Sequence, residues 1–172
     1  MFILIRCILL STIERHYKES HMNIRFKKGI TKENALLVCN WSNENGREFQ
    51  EQWMGSQIDY PLTYDKIEHL ENVFSIFNDE SFLGMIQQIR VGSDSVHIGR
   101  FIIDPQKVGI GFGKASMQSF IDMIFDNTCI KSISLTVFDS NQKAKSMYVK
   151  LGFEIVDVID VPRLKYIMKI YL

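Results

Sequence analysis

Residues 102–114, Ile102-Ile-Asp-Pro-Gln-Lys-Val-Gly-Ile-Gly-Phe-Gly-Lys114, decide the fold. Two isoleucines end an apolar run, and Gly109, Gly111 and Gly113 then alternate with other residues. Glycines allow positive φ and let the backbone approach a ligand closely. The free N–H groups and the dipole at a following helix start favour an anion such as pyrophosphate. The stretch therefore predicts a strand, a phosphate-binding loop and a helix, with a purely structural turn as the alternative.

The spacing of this loop excludes two well-known phosphate-binding loops. A Walker loop needs glycine five residues before Gly113, where Val108 stands, and Ser or Thr after Lys114, where Ala115 stands. A dinucleotide-binding fingerprint needs its third glycine at position 114, which is lysine. The loop therefore belongs to another class.

A second motif follows between residues 137 and 153. It predicts a strand end, a cap and a short helix that Gly152 terminates. Four residues recur at helical spacing and share one face of that helix: Asn141, Ala144, Tyr148 and Leu151. Alanine and leucine indicate that this face is buried. A tyrosine on it either has a chemical role or packs in the core while its hydroxyl donates a hydrogen bond to a backbone carbonyl.

The rest of the chain alternates between strand and helix patterns. Short polar breaks after residues 77 and 91 predict antiparallel hairpins ahead of the glycine loop. Before them, a strand over 23–28 precedes helices capped by Thr31 and Thr63. Behind the loop we expect a helix, a strand, a helix and two closing strands. This order predicts an α+β domain around a mixed sheet.

Composition excludes several classes of protein. The 172 residues contain 20 Lys and Arg against 20 Asp and Glu, so the net charge of zero gives no reason to expect nucleic-acid or membrane binding. The odd cysteine count, at Cys7, Cys39 and Cys129, argues against a disulfide framework and favours the cytoplasm. Histidines and cysteines show no metal-ligand spacing, so we expect no metal.

Residues 1–21 are expected to be an N-terminal extension outside the native fold. The apolar run at residues 2–10 is shorter than the roughly 20 residues that span a bilayer. A signal peptide has basic residues before its apolar run and a cleavage site of small residues after it, and this segment has neither. An appended helix or an upstream translation start explains it, with a membrane anchor as the alternative. One domain over residues 22–172 is predicted.

Three sequence elements together resemble the GNAT superfamily of N-acetyltransferases. They are Ile102-Ile-Asp-Pro105, the glycine loop, and Leu135-Thr-Val followed by Asn141-x-x-Ala144-x-x-x-Tyr148-x-x-x-Gly152-Phe153. The resemblance covers residues 82–156 well and 23–77 in outline. It implies a three-layer α/β/α fold whose mostly antiparallel sheet contains a splayed strand pair. It also implies transfer of acetyl from acetyl-CoA to a primary amine of a small molecule or a protein N-terminus.

The resemblance also assigns roles to residues. Gly111 and Gly113 match the small positions of an Arg/Gln-x-x-Gly-x-Gly/Ala loop that binds the CoA pyrophosphate, whereas Val108 replaces the Arg or Gln. Lys107 or Lys114 can supply the missing charge. The strand end pairs with pantetheine, Asn141 approaches the cofactor arm, and Tyr148 protonates the departing sulfur. The expected cofactor-binding residues are therefore Ile102, Ile103, Val108, Gly109, Gly111, Phe112, Gly113, Lys114, Asn141 and Tyr148.

The acceptor side is less defined by the sequence. Aromatic residues of the N-terminal helices and one strand histidine are the candidate substrate contacts: Trp41, Trp53, Tyr60 and His97. His97 is also a candidate base, as are Glu68, Asp79 and Glu80, and a water chain is the alternative. Other functions left open are a module that binds acyl-CoA without turnover and an unrelated nucleotide-binding protein. The C-terminal strands can pair within one chain or across a homodimer.

Overall fold

The computed structural model describes residues 22–172, which form a seven-stranded sheet between two helical layers. The strands follow the order β1-β2-β3-β4-β5-β7-β6, and β4–β5 is parallel while the other pairs are antiparallel. Their bounds are β1 Ile24–Lys28, β2 Val73–Asn78, β3 Ser81–Val91, β4 Ser95–Ile103, β5 Ser132–Phe138, β6 Glu154–Ile159 and β7 Lys165–Tyr171. The predicted mixed, mostly antiparallel sheet is thereby confirmed.

Five α-helices connect these strands, and side-chain caps fix two of their starts. The Thr31 hydroxyl accepts a hydrogen bond from the Asn34 N–H at 3.3 Å, and Asn141 Oδ1 accepts one from the Ala144 N–H at 3.1 Å. Each bond satisfies a donor that a helix start otherwise leaves unpaired. The helices are α1 Lys32–Glu44, α2 Gly46–Met54, α3 Tyr64–Glu68, α4 Phe112–Phe125 and α5 Gln142–Lys150, with a 3₁₀ turn at Pro105–Lys107.

Two apolar clusters attach the helices to opposite faces of the sheet. The first joins α1–α3 to β2–β4 through residues that include Val38, Ile67, Met85 and Ile102. The second joins α4 and α5 to the sheet through residues that include Met117, Phe120, Ile133, Tyr148 and Phe153. The domain therefore has the three-layer α/β/α architecture that was predicted.

Strands β4 and β5 separate after a short paired segment. Only residues 95–97 of β4 pair with residues 132–134 of β5. Further along, Gln87 of β3 lies opposite Gly99 of β4, and Met85 lies opposite Ile102. Between these two pairs β4 has two residues and β3 has one, so β4 contains an extra residue. Arg100 takes a positive φ of 47° within this β-bulge. The splayed strand pair is confirmed, and it leaves backbone groups of both strands facing a gap.

Gly84 allows β3 to lie close to the splayed part of β4. A Cβ at this position would overlap the carbonyl oxygen of Ile102 and lie 2.9 Å from its carbon. We expect Gly84→Ala to lower the free energy of unfolding by about 3 kcal/mol, since backbone cannot yield as a flexible side chain does. Gly46→Ala is the control, because its Cβ meets nothing within 4 Å and only the positive φ of 84° costs about 1 kcal/mol. Urea unfolding measures both, and equal losses would contradict the close packing.

The predictions for residues 1–21 concern a segment outside the described residues. The division of the chain at residue 22 therefore stays a prediction. Among residues 22–172, no helix has the length and apolar character needed to cross a membrane.

Candidate active site

A cavity of about 490 Å³ lies where β4 and β5 diverge. Residues 98–103 of β4 and 135–137 of β5 form its sides. Residues of α4 and α5 line it on one face of the sheet, and residues of α2 line it on the other. The cavity therefore runs through the sheet and connects the two helical layers. Its volume is within the range of about 300–1,000 Å³ usual for small-molecule sites.

The glycine loop leads from one wall of this cavity into α4. Gly109 and Gly111 have φ values of 91° and 104°, which other residues adopt at a cost. The first helical bond runs from the Ala115 N–H to the Gly111 carbonyl at 3.0 Å. The N–H groups of residues 112–114 consequently have no partner within the helix. Together with the helix dipole, they can hold an anionic group beside Val108 and Gly113, which line the cavity.

Lys107 and Lys114 are the two lysines expected to supply a cation to this loop. Lys107 is directed elsewhere, since its Nζ donates to the Ser81 hydroxyl at 3.1 Å and lies 3.9 Å from a carboxylate oxygen of Asp104. Val108 is 60% exposed and has no charge. Lys114, in the first turn of α4, is the remaining candidate to replace the arginine that the loop lacks.

Tyr148 lies on α5 with its side chain against the cavity. It is 8% exposed, and its ring packs edge-to-face on Phe153 with 5.8 Å between centroids. Burial alone raises the pKa of the phenol well above its ordinary value. The hydroxyl therefore stays protonated throughout the neutral range and keeps a hydrogen that it can donate. The Asn141 cap, which also lines the cavity, fixes the start of this helix.

The opposite end of the cavity belongs to α2 and the β-bulge. Phe49, Gln52 and Trp53 line it from the helix, and Arg100 lines it from β4. The Arg100 Nε donates to the Met54 carbonyl at 3.4 Å, and Nη1 donates to Gln87 Oε1. Burial lowers the pKa of the Arg100 guanidinium from its ordinary value. Of the candidate substrate residues, Trp53 is the one that the structure brings to this cavity.

The other three candidate substrate residues lie outside the cavity. Trp41 stacks on Phe82 at 5.7 Å, and the Tyr60 hydroxyl donates to the Asn43 carbonyl at 3.3 Å. His97 belongs to the part of β4 that still pairs with β5, and its Nδ1 lies 2.9 Å from the Ser134 hydroxyl. Burial, with a smaller effect of Arg90, lowers the pKa of His97. These side chains pack on neighbours instead of facing the gap.

Three ionisable side chains line the described part of the cavity: Arg100, Lys143 and Tyr148. No carboxylate or histidine of residues 22–172 does so. The structure therefore brings none of the candidate bases Glu68, Asp79, Glu80 and His97 to the cavity wall. Gln52 and Lys143 were not anticipated as lining residues, because Gln52 lies outside the motifs and Lys143 occupies an unspecified position of the second motif.

Comparison with known proteins identifies the family. Residues 38–153 match the model of the acetyltransferase (GNAT) family, which is more than half of the chain. The chain belongs to the GNAT family. Among curated proteins, this GNAT chain is 29% identical over 84 residues to the acetyltransferase PseH of Campylobacter jejuni. That match includes 49% of this chain and 52% of PseH, so the chain spans about half the length of this relative.

Solved GNAT structures share the fold over most of its length. Spermidine N-acetyltransferase from Vibrio cholerae, in complex with CoA and spermine, matches with a TM-score of 0.68 and 18% identity, over 86% of this chain and 95% of that one. RimL, a ribosomal L7/L12 α-N-protein acetyltransferase in complex with CoA, matches with a TM-score of 0.70 and 12% identity, over 87% and 94%. At these identities the likeness shows the GNAT fold alone.

Proposed function

We propose that this protein is an N-acetyltransferase that moves an acetyl group from acetyl-CoA to a primary amine by direct attack. Tyr148 is the general acid, and its position carries the proposal. Tyr148 is buried and protonated, and it lines a cavity that Val108 and Gly113 of the glycine loop and the part of β4 not paired with β5 also line. Family membership supports acetyl transfer, and the buried tyrosine, the glycine loop and the open strand supply the parts that this reaction needs.

The cavity fits acetyl-CoA in three respects. The N–H groups of residues 112–114, which have no partner within α4, suit the pyrophosphate. The backbone at Ile102 and Ile103, beyond the last β4–β5 pair, can bond to the pantetheine arm as a neighbouring strand would. The largely apolar gap between the strands suits the arm itself. The proposed cofactor residues are Ile102, Ile103, Val108, Gly109, Gly111, Phe112, Gly113, Lys114, Asn141 and Tyr148.

The chemistry requires one proton at the departing sulfur. Bound acetyl-CoA supplies a thioester, whose carbonyl carbon the amine nitrogen attacks as the C–S bond breaks. The Tyr148 hydroxyl donates its hydrogen to the sulfur as negative charge develops there. Burial raises the pKa of the phenol, and the same apolar surroundings disfavour a free thiolate. The proton released by the amine restores the neutral phenol through solvent.

The pH dependence follows from the absence of a carboxylate or histidine along the described cavity wall. We expect kcat/KM to rise with pH, with its midpoint at the pKa of the acceptor's own amine, and to level off above that pH. Because the Tyr148 pKa is raised, its acid form persists and no descending limb appears near pH ~10. Two acceptors with different amine pKa values should give two different midpoints. One shared midpoint near ~6.5 would instead indicate a histidine base.

Measurement of binding and turnover together tests the proposed function. CoA and acetyl-CoA binding are followed by calorimetry, and free thiol release is followed over a panel of amines. Binding with turnover is expected. Binding without turnover for every amine would favour the alternative, a module that binds acyl-CoA, which Val108 in place of arginine also favours. Thermal stabilisation by ATP or NAD, but not by CoA, would contradict both.

Three further properties belong to the same proposal. We propose that residues 22–172 form the catalytic domain and that the protein acts in the cytoplasm, consistent with the free thiols of Cys39 and Cys129. A homodimer through the edge strand β6 is proposed as well, because Ile155, Val156 and Val158 are each about half exposed. Sedimentation of the purified protein measures the oligomeric state.

A further inference from the structure

Arg100 has hydrogen-bond donors that no other residue of the described part of the chain uses. Its two bonds, to the Met54 carbonyl and to Gln87 Oε1, employ Nε and one hydrogen of Nη1. Nη2 has no bond to another described residue, and none of the ion pairs among residues 22–172 includes Arg100. A guanidinium has five N–H donors in a planar fork. Three of them therefore have no partner among residues 22–172 and can bond to a ligand in the cavity.

The guanidinium is held in place. The β-bulge sets its backbone at a φ of 47°, and the Gln87 that it binds is 5% exposed and itself donates to the Glu71 carbonyl at 2.7 Å. An arginine fixed by two bonds loses little further freedom when it binds a ligand. The Arg100 guanidinium is therefore preorganised to bind a ligand, unlike a solvated charge on the surface.

The charge around the cavity has one sign. Arg100 and Lys143 line it, and no carboxylate of the described residues does. Lys143 follows the Asn141 cap on α5, at the end proposed for the cofactor. Arg100 lies with Phe49 and Trp53 at the α2 end, which is left for the acceptor. A partly buried cation without an anionic partner attracts an anion and repels a second cation more strongly than an exposed one does.

We propose that Arg100 is a specificity-determining residue that binds an anionic group of the acceptor. The acceptor class is then a primary amine that also carries a carboxylate or a phosphate, both of which match the guanidinium fork. This inference rests on the proposed function and narrows its substrate class. Polyamines, such as the spermine bound by the Vibrio cholerae enzyme, are poor acceptors for this chain because their additional ammonium groups would face Arg100.

Matched acceptor pairs test this inference. β-Alanine is compared with β-alaninamide, and glucosamine 6-phosphate is compared with glucosamine. Spermidine is included as a cationic acceptor. For every acceptor, kcat/KM is calculated from the concentration of the neutral amine. We expect the anionic member of at least one pair to be favoured by roughly ten-fold or more, the size of one good charge-assisted contact. The carboxylate and phosphate pairs distinguish the two sources of negative charge.

Variants of Arg100 separate recognition from packing. Arg100→Met should remove the anion preference, and Arg100→Lys should restore part of it. Arg100→Gln retains a hydrogen-bond donor for Gln87 but lacks the charge, and it replaces Arg100→Met in this test if the methionine variant unfolds. Arg90→Met is the matched control, because Arg90 is an exposed residue of β3 outside this cavity, and it should leave the preference unchanged.

The outcomes are distinguishable. Equal loss of activity for all acceptors, with an unchanged ratio within each pair, would assign Arg100 to packing and overturn the inference. Transfer with no preference for anionic acceptors, or with a preference for spermidine, would overturn it while leaving the proposed function intact. Bound CoA with no transfer to any amine would overturn the proposed function, and the inference with it.

Discussion

Tyr148→Phe is expected to lower kcat by at least ten-fold, within or near the range of about 10²–10⁴ usual for loss of a general acid. The substitution removes one oxygen and retains the ring that packs on Phe153. Affinity for CoA should stay nearly unchanged, because the loop that binds pyrophosphate is not altered. Steady-state kinetics with a saturating amine, together with calorimetry of CoA, measure the two quantities separately.

A second tyrosine provides the control for this substitution. Tyr171 is 61% exposed near the end of β7 and does not line the cavity, so Tyr171→Phe should leave kcat within about two-fold. If Tyr148→Phe also left kcat unchanged, Tyr148 would be a packing residue and the proton would reach the sulfur from water. A matched loss of CoA affinity and turnover would indicate a role in binding instead.

Gly111→Asp is expected to weaken CoA binding strongly. Gly111 is the cap residue of α4, and an aspartate there would direct its carboxylate at the N–H groups proposed for pyrophosphate. The carboxylate would both occupy these donors and repel the phosphates. We expect the dissociation constant to rise by a factor of about 100 or more, equal to roughly 3 kcal/mol. Calorimetry with CoA measures the change.

Gly111→Asn separates charge from backbone strain. Both side chains have the same shape, reach the same donors and must adopt the φ of 104°, where the new Cβ would lie 3.2 Å from Met22 Cε. Asparagine should therefore weaken CoA binding less than aspartate does, although the unliganded variants should unfold at similar temperatures. Equal affinities of the two variants for CoA would show that the pyrophosphate does not lie at this helix start.

Local patterns were sufficient to predict much of the fold. The caps at Thr31 and Asn141 depend on residues within three positions, and both lie where the sequence predicts them. The hairpins around residues 79 and 93 likewise depend on short polar breaks. The family motifs added the splayed strands, which no local pattern specifies.

The acceptor end could not be predicted in the same way. An aromatic residue on a helix looks the same whether it faces a cavity, as Trp53 does, or a neighbouring ring, as Trp41 does. The bulge that directs Arg100 depends on the register between β3 and β4, which are paired over long range. The position of His97 depends on where β4–β5 pairing stops. These are tertiary properties that a single sequence does not encode locally.

A crystal structure of the protein with bound CoA tests the central claim most directly. The account predicts the pyrophosphate on the N–H groups of residues 112–114, the pantetheine between β4 and β5, and the sulfur within roughly 3–4 Å of the Tyr148 hydroxyl. CoA bound at another place, or a Tyr148 hydroxyl enclosed by apolar side chains and distant from the sulfur, would contradict it.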